Sequence, residues 1–104
     1  MPTTTTARIL RFEVPVDDRW HILTLPGPIV HIATRRPDVV EVWATTDGCY
    51  PQEHDLRVYG TGEPYPADCG NVCHVGTAIA PGGALVWHLM QRGPNRPADT
   101  KETL

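Results

Sequence analysis

The sequence has no long apolar run and no excess of basic charge. None of its apolar stretches approaches the roughly 20 residues that a membrane-spanning helix needs. Residues 1–6 have neither the basic region nor the apolar stretch of a secretory signal. Nine Lys and Arg against 12 Asp and Glu give a formal net charge of −3, which is not the basic footprint of a nucleic-acid-binding protein. We therefore expect neither a membrane nor a nucleic acid as a partner.

The sequence also lacks the pattern of a helix, since 11 Pro and nine Gly interrupt it and no long segment between them has apolar residues at helical spacing. Short runs of alternating apolar and polar residues recur instead, each ended by a turn residue, which is typical of antiparallel strands. The first run places Leu10, Phe12, Val14 and Val16 on one face. The pattern predicts an all-β fold, a small antiparallel β-sandwich or partly open barrel of about seven strands.

A chain of 104 residues corresponds to one domain. We expect an extended polar arm over residues 1–7, a single β domain over 8–92 and a polar C-terminal tail over 93–104, since neither end has an apolar pattern. Within the domain, strands are predicted at 10–16, 20–25, 29–34, 39–45, 56–59, 72–80 and 84–91. The ten residues from 46 to 55 are predicted to form a long polar loop, a plausible place for contacts.

Several short motifs in this order resemble a domain family of unknown function that tailed bacteriophages and prophages encode. They are Phe12-Glu13-Val14-Pro15, Thr24-Leu25-Pro26, Ile29-Val30-His31-Ile32, Val42-Trp43-Ala44, residues 56–64, Val75-Gly76-Thr77 and residues 82–89. The most specific are Gly60-Thr61-Gly62 and the run Gly82-Gly83-Ala84-Leu85-Val86-Trp87-His88. The resemblance implies a phage protein with a small β domain, located in the virion or in the host cytoplasm. It implies no reaction.

The segment Cys69-Gly70-Asn71-Val72-Cys73-His74 is the sharpest local signal for a metal. Together with Cys49, these thiols and the imidazole could form a tetrahedral zinc site, so the candidate metal ligands are Cys49, Cys69, Cys73 and His74. The spacing is not that of paired two-residue knuckles, and neighbouring residues of a strand point to opposite faces. We therefore predict no metal and no cofactor. Cys73 is expected to be a small buried apolar residue, with Cys49 and Cys69 as free thiols in loops.

The sequence has no catalytic motif. It contains no Ser-centred elbow, no glycine-rich phosphate loop before a helix and no His-Glu-x-x-His helix. His54, between two carboxylates in the predicted loop, fits a solvated position better than a catalytic base. His88 is expected to pack with one ring nitrogen hydrogen-bonded, and Gly60-Thr61-Gly62 to form a turn rather than an anion cradle. We predict that the protein is not an enzyme.

The remaining features point to contacts with other proteins. We expect two of the three Trp residues in the core and Trp43 partly at an interface. The candidate contact residues are Thr3, Thr4, Thr5 and Thr6 of the arm together with Trp43, Tyr50 and His54. The partners would be capsid or other virion proteins, further copies of the chain, or a host protein. Sheet edges favour such association.

Three functions agree with these features. The first is a virion structural component, such as a capsid decoration or minor head protein. The second is an early phage protein that binds and inhibits a host or anti-phage defence protein. The third is a small-ligand or metal binder that uses the loops between residues 49 and 74.

Overall fold

The computed structural model of the chain describes residues 6–47, 51–67, 71–94 and 96–97. These ranges contain strands and turns and no helix, hence no helix that is long and apolar enough to cross a membrane. The strands in chain order are β1 (Ile9–Pro15), β2 (His21–Leu25), β3 (Ile29–Arg36), β4 (Val39–Thr45), β5 (Gln52–Gly60), β6 (Val72–Ile79), β7 (Val86–Arg92) and β8 (Arg96–Pro97). The prediction of an all-β fold is confirmed.

The strands form two antiparallel sheets. The first has the order β1-β4-β3, and the second has the order β2-β5-β7-β6, with β8 beside the start of β5. Seven strands are five residues or longer, and β8 has only two. β8 lies within the segment that the sequence predicts to be a polar tail. The two open sheets make a sandwich-like fold, as the alternating pattern predicts.

The core lies between the two sheets and is built by strand alternation. The three-stranded sheet contributes Val14, Val40, Val42 and Ala44, and the five-stranded sheet contributes Leu25, Leu56, Val58 and Leu89. All eight are at most 2 % exposed. Burying one Val or Leu side chain stabilises a fold by roughly 1.5–3 kcal/mol, so these residues hold the sheets face to face.

The sheets approach each other closely where β3 passes β6. A Cβ atom built on Gly76 would lie 2.9 Å from Cδ1 of Ile32, a distance that real Cβ atoms do not show. The pairing of β6 with β7 also shifts between His74 and Gly76, which is a local irregularity of the β-bulge type. The Ile32 side chain therefore occupies space that a Cβ atom at position 76 would need, and only glycine fits there without a shift of Ile32.

The prediction of a polar loop over residues 46–55 is wrong at its end, because β5 begins at Gln52. His54 and Asp55 are buried, and each side chain has one polar partner on β7. His54 is hydrogen-bonded to Gln91, and Arg92 forms an ion pair with Asp55. Strand propensity depends strongly on such neighbours, and these two come from β7, far along the chain.

Two predictions about burial are also wrong. All three Trp residues are half-buried, so none lies in the core. Trp87 and Trp20 pack against the two buried clusters without being enclosed by them, and the indole N–H of Trp87 donates to the Pro37 carbonyl at 3.0 Å at the protein surface. Cys73 is exposed, since β6 is an edge strand of its sheet and a residue near its start is left uncovered on one side.

Candidate functional site

The outer face of the five-stranded sheet carries an open cleft of about 310 Å³. The register places Tyr59 opposite His88 and His74 opposite Met90. Strand alternation therefore directs these four side chains to one face. The turn that follows β5 closes one end, and the full lining is Tyr59, Gly60, Thr61, Gly62, Glu63, Tyr65, His74, His88 and Met90.

A chain of hydrogen bonds crosses this cleft. The hydroxyl of Thr77 lies 2.9 Å from Nε2 of His74 and 2.9 Å from Nδ1 of His88. The other ring nitrogen of His88 lies 2.8 Å from the hydroxyl of Thr61. His88 thus has both nitrogens bonded, one more than the sequence predicts. The two imidazole rings are 5.9 Å apart between centroids, and the threonine hydroxyls fix their orientation.

The turn at Gly60-Thr61-Gly62 is confirmed, and Gly62 has a φ of 88°, where glycine is favoured. The Gly60 amide donates to Oε1 of Glu63 at 2.9 Å. Nη2 of Arg57 donates to Oε2 of the same carboxylate at 3.2 Å. The Glu63 carboxylate therefore accepts the hydrogen bond from the Gly60 amide that an external anion would otherwise accept.

Aromatic rings and guanidinium groups form the wall beside the cleft. The Arg57 guanidinium lies 4.4 Å from the centre of the Tyr59 ring, and Arg92 lies 4.4 Å from the Trp20 ring. Tyr59 makes edge contacts with Trp20 and Tyr65 at 6.2 and 6.0 Å between centroids. Cation–π and edge contacts of this kind each contribute on the order of 0.5–1.5 kcal/mol. They keep Tyr59 fixed while Tyr65 stays exposed.

The outer face of the other sheet is covered by a charged cluster of Arg11, Glu13, Arg35, Arg36 and Glu41. Arg35 donates twice to the carboxylate of Glu41, at 2.8 and 2.6 Å, and Arg11 donates once, at 3.0 Å. Glu13 accepts from Arg11 at 2.8 Å and from Arg36 at 3.1 Å. The hydrogen bond from Arg35 lowers the pKa of Glu41 below its usual value and raises the pKa of Arg35. Every charge of this cluster thus has a partner.

The structure describes only two of the four candidate metal ligands, Cys73 and His74. Cys49 and Cys69 lie outside the described residues. Cys73 and His74 are neighbours on β6, and only His74 lines the cleft. In the described part of the chain, no group of three or more His, Cys, Asp or Glu residues is placed to hold a metal ion.

The candidate contact residues lie in different places. Thr3, Thr4, Thr5 and Tyr50 fall outside the described ranges, and Thr6 is exposed ahead of β1. Trp43 lies on the outer face of β4, half-buried, with its ring 5.6 Å from that of His31. His54, predicted to be solvated, is only 4 % exposed, so its ring offers little surface to a partner.

The His54 ring lies in a buried and polar setting. One ring nitrogen, Nδ1, is 3.0 Å from the amide oxygen of Gln91. Burial lowers the pKa of His54 below its usual value, and the hydrogen bond to Gln91 opposes this in part. The neutral imidazole is therefore the favoured form in the folded protein.

Thr77 and Tyr65 are site residues that the sequence pattern does not predict. The signal for Thr77 was present, since the predicted hairpin of residues 72–80 and 84–91 has a Thr on one strand and a His on the other. Their direct opposition depends on the register shift between His74 and Gly76, which alternation alone does not reveal. Tyr65 lies in a segment without regular structure.

No curated protein matches this chain, and no solved structure does. One family model matches residues 5–100, a range that includes all eight strands and every residue of the cleft and the charged cluster. The chain belongs to the family described as a domain of unknown function (DUF7352).

Proposed function

We propose that the protein is a non-enzymatic interaction module, and that it serves as a structural component of a phage virion, such as a capsid decoration or minor head protein. The supporting observation is where the large apolar side chains are exposed. Among the described residues, each of the edge strands β1, β2, β3 and β6 has at least one such side chain. They are Ile9, Leu10, Ile22, Val30 and Ile79, with 41–64 % of their surface exposed.

The central strands differ from the edges. No large apolar side chain of β4, β5 or β7 is among the exposed ones in the described residues. An edge strand offers unpaired backbone groups, and an exposed apolar side chain beside them adds area for a partner to cover. Pairing with a strand of another protein would satisfy both features, and repetition in a lattice would add many such contacts.

The phage assignment rests on the resemblance described above. The composition of phage particles would test it directly. Purified particles of the phage that encodes the chain would be analysed by mass spectrometry, with an early non-structural protein of the same phage as the negative control. Detection at a stoichiometry comparable to that of other head proteins supports the proposal. Absence from the particles, together with one stoichiometric host protein in a pull-down from infected cells, would replace it with the host-directed alternative.

The cleft supports a second candidate function, that of a small-ligand binder. Its exposed Tyr65 ring and its two hydrogen-bonded imidazoles combine a stacking surface with polar groups, as ligand sites do. Imidazole nitrogens also bind Zn²⁺, Ni²⁺ and Cu²⁺, although two imidazoles without a third ligand would hold such an ion weakly.

Titration of the protein with ZnCl₂ and NiCl₂, followed by NMR of the histidine rings, tests the metal version of this candidate. Binding should shift the His74 and His88 signals together, and His74→Ala should remove the effect. His31→Ala is the matched control, because His31 lies on the three-stranded sheet beside Trp43. Signals of His74 and His88 that do not move, or that move no more than that of His31, would contradict it.

A further inference from the structure

The edge strand β1 has one side without a neighbouring strand. The hydrogen bonds between β1 and β4 show which residues of β1 direct their backbone groups to this open side. The N–H of Val16 donates to the Asp38 carbonyl, and the N–H of Thr46 donates to the Arg8 carbonyl. In an antiparallel ladder, residues that bond to the neighbouring strand alternate with residues whose backbone groups point away. The even-numbered residues of β1 therefore bond to β4, and the odd-numbered residues present their backbone groups to the open side.

Side chains alternate along β1 as well. Arg11 and Glu13 lie on the outer face, where Arg11 also contacts Glu41. Leu10, Phe12 and Val14 lie on the inner face, and Leu10 remains 41 % exposed. Within the described residues no strand pairs with the open side of β1.

We propose that this open side pairs in antiparallel fashion with β1 of a second copy of the chain, about a two-fold axis that passes beside Phe12. The proposal rests on the proposed function, since it names one partner and one surface for the interaction module. In this register Arg11 lies opposite Glu13 of the second copy, and Glu13 lies opposite Arg11 of the second copy. The result is a continuous six-stranded sheet built from two three-stranded sheets.

Charge selects this register over its neighbours. The open side pairs odd-numbered residues with odd-numbered residues, so alternative registers differ by steps of two residues. One step in one direction places Arg11 opposite Arg11, and one step in the other direction places Glu13 opposite Glu13. Opposite charges in facing positions stabilise a strand pair and like charges destabilise it. Only the register centred on Phe12 places two opposite-charge pairs face to face.

The backbone agrees with this register. Arg11 and Glu13 of the second copy would exchange two N–H···O bonds, and the two-fold axis repeats the pair, giving four hydrogen bonds in the centre. On the inner face, Leu10 would lie beside Val14 of the second copy and Phe12 beside Phe12. Pro15 has no N–H to donate, so the pairing weakens at its ends and does not extend along the edge.

Charge reversal tests the proposal by sedimentation velocity over a range of concentrations. The wild-type chain should dimerise, and Arg11→Glu or Glu13→Arg should each lower the association constant by roughly tenfold to a hundredfold. Mixing the two variants should restore a dimer, because Glu at position 11 then faces Arg at position 13 of the other chain. Asp38→Arg, in the turn between β3 and β4, is the control with the same change of charge as Glu13→Arg and should leave the dimer intact.

A second measurement needs no substitution. The amides of Arg11 and Glu13 should exchange hydrogen slowly at high protein concentration and quickly on dilution, whereas those of Phe12 and Val14 stay protected by β4 at both. A wild-type monomer up to millimolar concentration, an oligomer that both single variants retain, or a mixture that does not restore pairing would overturn the proposal. A monomeric chain still found in virions would refute this pairing and leave the proposed function standing.

Discussion

Replacement of Gly76 by alanine tests how the two sheets pack against each other. The new Cβ would lie 2.9 Å from Cδ1 and 3.0 Å from Cγ1 of Ile32, so the half-buried Ile32 side chain must move. Overpacking of this kind costs about 1–3 kcal/mol. Replacing glycine by alanine also reduces the conformational entropy of the unfolded chain, which stabilises the folded protein by about 0.4–1 kcal/mol. We expect Gly76→Ala to lower the free energy of unfolding by about 1–2 kcal/mol, measured by urea unfolding with far-UV circular dichroism.

A double-mutant cycle identifies the contact that is responsible. Ile32→Val alone should cost about 0.5–1.5 kcal/mol, but it removes Cδ1, the atom nearest to the new methyl group. The double variant should therefore be about 1 kcal/mol more stable than the sum of the two single changes predicts. Gly60→Ala is the matched control, because the nearest atom to its Cβ would be Cζ3 of Trp87 at 3.4 Å, an ordinary van der Waals distance. A Gly76→Ala variant as stable as the wild type, or additive single effects, would refute this packing of β3 on β6.

Three further predictions concern single groups. Between about pH 5 and pH 3 the wild type should lose more unfolding free energy than Glu41→Gln, because Arg35 holds the pKa of Glu41 below 4.5 and the stability from this pair disappears as the pH falls through the lowered value; a difference independent of pH would contradict this. The His54 ring should titrate below pH 6.5 in NMR spectra, so stability should decrease as the pH falls from 6.5 towards that midpoint, and His54→Gln should lack this slope; titration at or above 6.5 would count against burial as the cause. Trp87→Phe should lower the midpoint of urea unfolding, because it removes the hydrogen bond to the Pro37 carbonyl. Such a bond contributes about 0.5–1.5 kcal/mol to stability. An unchanged midpoint would show that this hydrogen bond does not stabilise the fold.

Alternation predicts those strands whose side chains follow a simple apolar pattern. β4 is predicted with its observed bounds, Val39–Thr45, because Val40, Val42 and Ala44 mark one face clearly. The β6–β7 hairpin and the central position of β7 are predicted for the same reason. The first residues of β5 are missed because His54 and Asp55 are stabilised by Gln91 and Arg92, and no local pattern connects residues so far apart.

The cleft is harder to predict than the fold because it depends on register. The sequence shows His74, Thr77 and His88 as separate residues, and alternation can assign each to a face. Whether one hydroxyl lies within hydrogen-bond distance of both imidazoles depends on which residue of β6 faces which residue of β7. The shift between His74 and Gly76 decides that. Sequence patterns therefore predict the strands of the sheet, but the hydrogen bonds between its side chains depend on the register of strand pairing.

The two proposed surfaces lie on different sheets, and this makes them separable by experiment. The open side of β1 belongs to the three-stranded sheet, whereas the cleft lies on the outer face of the five-stranded sheet, over β5, β6 and β7. Substitutions at sites without shared partners have nearly additive effects. His74→Ala should therefore leave dimerisation unchanged, and Glu13→Arg should leave the histidine signals of the cleft unchanged. If either variant altered the other surface, coupling through the core would be required, and a single interaction module with independent faces would be the wrong description.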